Sequence, residues 1–205
     1  MSKLSDLARS FLRSGLDQAR ERSRVPDRLR RLVREATSQG TQISEADLGA
    51  ALSQTDGVSA LSVTARRGEL QLHGSFETRE PLGGRIAVDA IRFAPRGAKE
   101  LVFKWQPEEN ARHPMVRPLV GTLAGVVAHH LWSVVLGPAG GDMSGAIVDR
   151  DGPSLFRVDL RSVPAVREAI RKGAPGLIID ALALGDLTME DGSLRLRFRL
   201  PGLFG

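Results

Sequence analysis

A hairpin pattern decides the expected fold: Val63-Thr64-Ala65-Arg66-Arg67-Gly68-Glu69-Leu70-Gln71-Leu72. Apolar and polar residues alternate on both sides of a glycine turn, which is typical of two antiparallel strands joined by a tight connection. A second stretch aligns with it without gaps: Leu187-Thr188-Met189-Glu190-Asp191-Gly192-Ser193-Leu194-Arg195-Leu196. Two explanations stay open, a duplicated strand-hairpin unit or the similarity that any two hairpins with a glycine turn share. Both predict antiparallel pairing.

The segments around these hairpins carry further local signals. Alternation predicts strands at 86–90, 101–105 and 156–160, and its phase slips at Ile91 and Phe93, which indicates a β-bulge. The sequence Ser44-Glu45-Ala46-Asp47 is similar to a capping box and predicts a short helix through Leu52. A second helix is expected at 162–173, where Ser162 precedes an apolar pattern that Gly173 and Pro175 end.

Residues 114–136 predict a long helix with an unusual absence of charge. From Leu119 to Leu136 there is no Asp, Glu, Lys or Arg. A helix that is apolar on nearly all sides needs a surrounding sheet, a partner or an apolar ligand. Gly121, Gly125 and Ala128 form a stripe of small residues that allows close approach of another backbone. We predict that one apolar face of this helix contacts a ligand, through Val116, Leu119, Val120, Leu123, Val127 and Leu131.

The predicted fold class is α+β. We expect a curved antiparallel sheet wrapped around one or two long apolar helices, preceded by a helical N-terminal arm. The chain divides into a basic amphipathic arm at 1–39 and an α+β ligand-binding domain at 40–205. The arm holds ten Lys or Arg against five Asp or Glu, whereas residues 40–205 hold 19 of each sign. The net charge of +5 therefore belongs to the arm.

The arm has the pattern of an interfacial or docking helix. Apolar residues recur at helical spacing over residues 3–22 with arginines beside them. Three interpretations stay open: packing on the domain, binding to an anionic membrane surface, and coiling with a partner protein. The residues assigned to membrane or partner binding are Leu4, Leu7, Arg9, Phe11, Leu12, Arg13 and Leu16. We do not expect nucleic-acid binding, because the basic charge lies off the domain and no stacking set of aromatics is present.

The motifs indicate no enzyme. The chain has no Cys, which excludes thiol nucleophiles and zinc-thiolate sites. The adjacent His129 and His130 point about 100° apart on a helix and cannot chelate one metal together. We therefore predict no metal and no cofactor. The rival hypothesis is a hydrolase that uses Ser144 with His129 or His130 and Asp142.

Two segments resemble the small bacterial tubular lipid-binding (TULIP-type) proteins. The opening from Ser44 to Leu48, followed by the pattern Val58 to Gly74, looks like their first helix and hairpin. Residues 175–177 and 191–196 look like their closing hairpin. The resemblance covers about residues 42–205, at the level of pattern. It implies a long helix inside a curved sheet with lipid held between them. Those proteins carry a signal peptide or lipobox, which the pattern at Met1 does not match.

The expected function is non-enzymatic binding of a lipid or other apolar small molecule. The expected location is cytoplasmic, peripheral to the inner membrane where the arm binds anionic lipid. The alternative is a structural or assembly subunit that docks a protein partner, or a second copy, through the arm and the sheet edges.

The arm generates the first testable prediction. Burying its apolar face contributes about 25 cal/mol per Å², and each Arg near anionic lipid adds about 1 kcal/mol. The intact protein should therefore co-sediment with anionic liposomes at low salt and dissociate as salt rises. The substitution Phe11→Asp, or deletion of residues 1–22, should abolish binding. Failure of the intact protein to sediment with anionic liposomes would exclude the membrane role.

Overall fold

The computed structural model describes residues 40–77, 79–108, 113–136, 145–171, 179 and 183–199. The arm assigned to residues 1–39 lies outside these residues. The described helices are α1 (Glu45–Leu52), α2 (Val116–Leu136) and α3 (Pro164–Arg171). The described strands are β1 (Thr41–Ser44), β2 (Val58–Arg66), β3 (Glu69–Phe76), β4 (Arg79–Phe93), β5 (Lys99–Pro107), β6 (Ile147–Arg150), β7 (Leu155–Asp159), β8 (Ala183–Glu190) and β9 (Ser193–Arg199).

The strands form two separate antiparallel sheets, not one. The larger sheet has six strands in the order β2-β3-β4-β5-β7-β6, and the smaller has three in the order β1-β9-β8. Strands hold about half of the described residues. The predicted fold class is therefore wrong: the described part of the chain is mainly β, and no helix in it is wrapped by a sheet.

The helices show why the wrapped arrangement does not form. Helix α2 buries one side completely, but Arg117, Pro118 and His129 on its other side are exposed. The sheets therefore cover only one side of it. Helix α3 is limited to eight residues, of which Val166 and Ala169 are buried. Within the described residues, no helix is both long and apolar enough to cross a membrane.

Three local signals, two in the larger sheet and one at the start of α1, have the predicted structural outcome. The turn at Arg67-Gly68 joins β2 to β3, with Arg66 opposite Glu69. The register between β4 and β5 shifts between Val88 and Ala90, close to the slip in alternation that predicted a bulge. Ser44 caps α1, and its hydroxyl accepts a hydrogen bond from the Asp47 amide at 3.1 Å.

The two similar hairpins contact each other at their turns through reciprocal hydrogen bonds. The amide of Gly68 donates to the carbonyl of Met189 at 3.0 Å, and the amide of Gly192 donates to the carbonyl of Ala65 at 3.1 Å. In the sequence alignment, Gly68 corresponds to Gly192 and Ala65 to Met189. Both glycines have positive φ, +88° and +77°, which a tight turn accepts most readily from glycine. The hairpins are therefore equivalent in loop length, in register and in their mutual contact.

Helix α1 also contacts these two turns, at the corner where the Gly68 and Gly192 turns meet. The Glu45 amide donates to the Gly192 carbonyl at 2.9 Å. The Glu45 carboxylate accepts from the Ala65 amide at 2.7 Å, a charge-assisted bond of the stronger kind. One residue at the start of α1 thus joins the small sheet to the edge of the large one. A contiguous core of aliphatic residues with Trp105 and Trp132 fills the space between the layers.

Two adjacent glycines in β4 give a test of this packing. An added Cβ at Gly84 would lie 2.4 Å from Trp105 Cη2 and 2.7 Å from the Gln106 carbonyl oxygen. At Gly83 the nearest atom, at 2.8 Å, is the carboxylate Oε2 of the half-exposed Glu108. We expect Gly84→Ala to lower the free energy of unfolding by about 1–3 kcal/mol.

The control Gly83→Ala should change the free energy of unfolding by less than about 0.5 kcal/mol, because the Glu108 side chain can move. Urea denaturation monitored by circular dichroism measures both. Equal effects of the two substitutions would contradict the packing of Trp105 on Gly84.

Candidate functional site

A groove runs along the outward face of α2. Its volume is about 1080 Å³. The helix forms the floor through residues on the side opposite the core: Arg117, Pro118, Gly121, Thr122, Gly125, Val126, His129 and His130. From Arg117 to His130 the helix rises about 20 Å, at 1.5 Å per residue. The floor is thus long and narrow, with small residues in the middle and polar residues at both ends.

Two elements form the walls of the groove. On one side are α1 and the turn that follows it, with Asp47, Ala51, Gln54, Thr55 and Asp56. On the other side are β6 and the residues before it, with Gly145, Ala146, Ile147 and Val148. Ile147 is 51% exposed, which is unusual for a large aliphatic side chain in the described part of this chain. The groove therefore has an apolar interior and a rim that includes both acidic and basic groups.

Hydrogen bonds hold both walls against the floor. The hydroxyls of Thr55 and Thr122 lie 2.8 Å apart and connect the turn after α1 to α2. The Arg117 Nε–H donates to the Val148 carbonyl at 3.0 Å, which connects α2 to β6. The Ile147 amide donates to Ser162 Oγ at 2.6 Å. These contacts fix the width of the groove at its Arg117 end.

The same contacts alter the edge of the large sheet. Strand β6 is an edge strand, and an open edge offers free backbone groups to another strand. Here the Arg117 side chain already occupies the Val148 carbonyl. Strand addition at this edge would have to displace Arg117.

The six residues predicted to bind a ligand lie on the opposite side of α2. Val116, Leu119, Val120, Leu123, Val127 and Leu131 are 0 to 2% exposed and belong to the core. None of them lines the groove, and truncation of such a side chain typically costs about 2–5 kcal/mol. Their role in ligand binding stays a prediction, and in the structure they form the packing that holds α2 in place.

Sequence reasoning missed the residues that line the groove floor. Gly121 and Gly125 did stand out as small residues, but they were assigned to close backbone approach. In the structure both line the groove, whereas Ala128 of that stripe does not and is buried in the core. The available signal was the polar series Arg117, Thr122 and His129, which marks one face of the helix as solvent-facing.

The histidines of the rival hydrolase hypothesis lie at the far end of the groove. Their rings meet edge-on with centroids 5.5 Å apart. His130 Nδ1 is 3.0 Å from the Val126 carbonyl oxygen, so this nitrogen carries the proton and donates. Ser144 and Asp142 lie outside the described residues. That the chain is not an enzyme stays a prediction.

Neither metals nor known relatives identify the site. In the described part of the chain, no three His, Asp or Glu side chains are grouped to hold a metal ion. No family model, no curated protein and no solved structure matches the chain. The resemblance to TULIP-type proteins therefore stays a prediction.

The threonine pair gives a test of how the α1 wall is held. Replacing either Thr55 or Thr122 by Val should lower the free energy of unfolding by about 1 kcal/mol, because the other hydroxyl loses its partner. The double variant should cost no more than one single variant, giving a coupling of about 0.5–1.5 kcal/mol. Urea unfolding of the four proteins measures this coupling. Strictly additive losses would show that the bond does not tie the wall to α2.

Proposed function

We propose that this protein is a non-enzymatic binding protein that holds an elongated apolar or amphipathic small molecule in the groove on α2. One observation carries the proposal: the helix is packed into the core on one side, yet its other side presents small and apolar residues between two fixed walls. A helix face of this kind is normally covered.

The dimensions and chemistry of the groove support a small-molecule ligand. Ligand sites in proteins usually measure about 300–1,000 Å³, with apolar walls and a few polar groups that fix orientation. The groove, at about 1080 Å³, lies just above that range. Its polar groups lie at the ends, with Arg117 at one and His129 and His130 at the other. Such an arrangement favours a molecule with an apolar body and a polar terminus.

This binding mode differs from the one that the sequence predicts. A ligand between helix and sheet would have to replace core side chains that are already fully packed. The outward groove needs no such displacement. The proposed ligand is of the same class that the sequence predicts. It binds the opposite face of α2.

The second candidate is an assembly subunit that docks a protein partner. Exposed Ile147 beside the groove favours it, since exposed aliphatic residues often mark contact surfaces. The Arg117 bond to the Val148 carbonyl opposes strand addition at that edge. A peripheral membrane location would come from the arm, whose residues lie outside those described, and is tested separately by the liposome experiment.

A groove-filling substitution tests the proposal. An added Cβ at Gly121 would be 3.6 Å from Val148 Cγ2, which is ordinary contact. The rest of a Leu side chain would occupy groove volume, while Gly→Leu raises helix propensity by somewhat less than about 1 kcal/mol. We expect Gly121→Leu to weaken binding of the neutral apolar fluorophore Nile red about tenfold, or 1.4 kcal/mol, without loss of stability.

Ala50→Leu is the matched control, because Ala50 is exposed on α1 and does not line the groove. It should bind Nile red like the unaltered protein. Native mass spectrometry of the purified protein then shows whether a small molecule co-purifies and is lost in Gly121→Leu. Equal Nile red affinity in all three proteins would refute the groove as an apolar site.

A further inference from the structure

A second cavity lies at the start of α2, beside the groove. Its volume is about 220 Å³, roughly seven times the 30 Å³ that a water molecule occupies in the liquid. The residues that give it chemical character are Trp105, His113, Arg117 and Arg150. Arg117 lines both this cavity and the groove, so its side chain borders both spaces.

The charged groups that the described residues contribute to this cavity are positive. Among those residues, Arg117 and Arg150 are the only ionisable lining residues apart from His113. Neither arginine forms an ion pair with a described residue. Two guanidinium groups beside one cavity repel each other unless an anion lies between them. The charge of the cavity is therefore complementary to an acidic ligand.

Hydrogen bonds hold both guanidinium groups while leaving donors free. Arg117 uses its Nε–H for the Val148 carbonyl. Arg150 uses Nε for the Gly152 carbonyl at 3.0 Å and Nη2 for the Pro153 carbonyl at 2.7 Å. Each arginine has five N–H donors, so each keeps further donors for a ligand. Fixed, planar donors of this kind match the two oxygens of a carboxylate or phosphate.

A buried indole in the cavity wall points to the same ligand chemistry. Trp105 is 2% exposed, and its Nε1 is buried without a hydrogen-bond partner among the described residues. Buried polar groups are nearly always hydrogen-bonded, and an unmet one is costly. The group that it lacks is an acceptor, which an anionic oxygen supplies.

His113 does not supply that acceptor. Its Nδ1 accepts from the Met115 amide at 3.2 Å, so the proton lies on Nε2, which donates to the Glu80 carbonyl at 2.7 Å. Both ring nitrogens are therefore engaged within the protein. Among the described lining residues, the cavity offers donors from Trp105, Arg117 and Arg150 and no carboxylate.

We infer that this cavity binds a carboxylate or phosphate group. The inference rests in part on the proposed function, because Arg117 borders both the cavity and the groove: the anion would be the head of an amphiphile whose apolar part lies along α2. A free small anion has the same chemistry and is the other source. The Trp105 NMR signal tests anion binding in the cavity, and Nile red tests apolar binding in the groove, so either hypothesis can be refuted without the other.

The indole resonance of Trp105 provides the test. The chain has two tryptophans, so proton–nitrogen NMR spectra of the full-length protein contain two indole signals, which Trp105→Phe assigns. Inorganic phosphate, propionate, decanoate and uncharged decanol are titrated in turn. We expect anions to shift the Trp105 signal and leave that of Trp132 in place, and we expect decanol not to reproduce the shift.

Two variants with a matched control locate the anion. Arg150→Gln should weaken anion binding about tenfold or more, as expected for loss of a hydrogen bond to a charged group. Arg150→Lys keeps the charge and should restore part of the affinity, which separates binding from misfolding. Arg66→Gln removes an exposed arginine outside the cavity and should leave affinity unchanged.

The relative affinities identify the source of the anion. If decanoate binds at least about tenfold tighter than propionate, and Gly121→Leu removes that advantage, the site holds the head of an amphiphile. If phosphate, propionate and decanoate bind alike, the cavity takes a free anion and the groove is unrelated. If no anion shifts the Trp105 signal, or Arg150→Gln binds like the unaltered protein, the inference is wrong, whatever Nile red shows.

Discussion

The reciprocal contact between the two glycine turns is the constraint on which the rest of the described structure depends. Two backbone hydrogen bonds join hairpins from opposite ends of the domain, and Glu45 adds two more at the same corner. Because Glu45 is the first residue of α1, the corner also fixes where that helix starts. Helix α1 then forms one wall of the groove. The position of the candidate site thus follows from hairpin pairing on the far side of the helix.

The second determinant is the one-sided burial of α2. Its core face and its groove face belong to the same turns of helix, so the core contacts hold the groove floor rigid. Arg117 stands where three features meet: the start of the helix, the edge strand β6 and both cavities. A single side chain therefore contributes to sheet-edge protection and to the charge of the site. Changes at Arg117 are expected to affect both, which is why Arg150 is the cleaner probe of anion binding.

The sequence was informative where structure is set by neighbours in the chain. The glycine turns, the bulge in β4 and the Ser44 cap depend on a few adjacent residues, and each was predictable. The division into two sheets was not, because β1 is four residues long and pairs with β9 near the other end of the chain. No local pattern specifies such a partner.

The same limit explains why the predicted ligand-binding residues lie on the core face of the helix and not on the groove face. Periodicity identified an apolar helix, but it did not show which side the sheets would cover. Val116 and Leu119 are among the six residues assigned to a ligand. Pro118 and Gly121, which lie between members of that set in the sequence, line the groove instead. The cavity beside Trp105 joins residues from β5, β6 and the start of α2, which lie far apart in the sequence and share no motif.

The pairing of β1 with β9 also has a consequence for how the chain folds as it is made. Gln42 in β1 bonds Ser193 in β9, 151 residues later, at 2.7 Å. The large sheet, by contrast, is built mostly from neighbouring hairpins that can close as soon as they emerge. The small sheet and the anchored start of α1 must wait for the last strands to be synthesised. Contacts between such distant segments form slowly, because a long loop has to close before they contribute. The completed corner is thus a late event, and a nascent chain would carry an assembled six-stranded sheet before its groove has both walls.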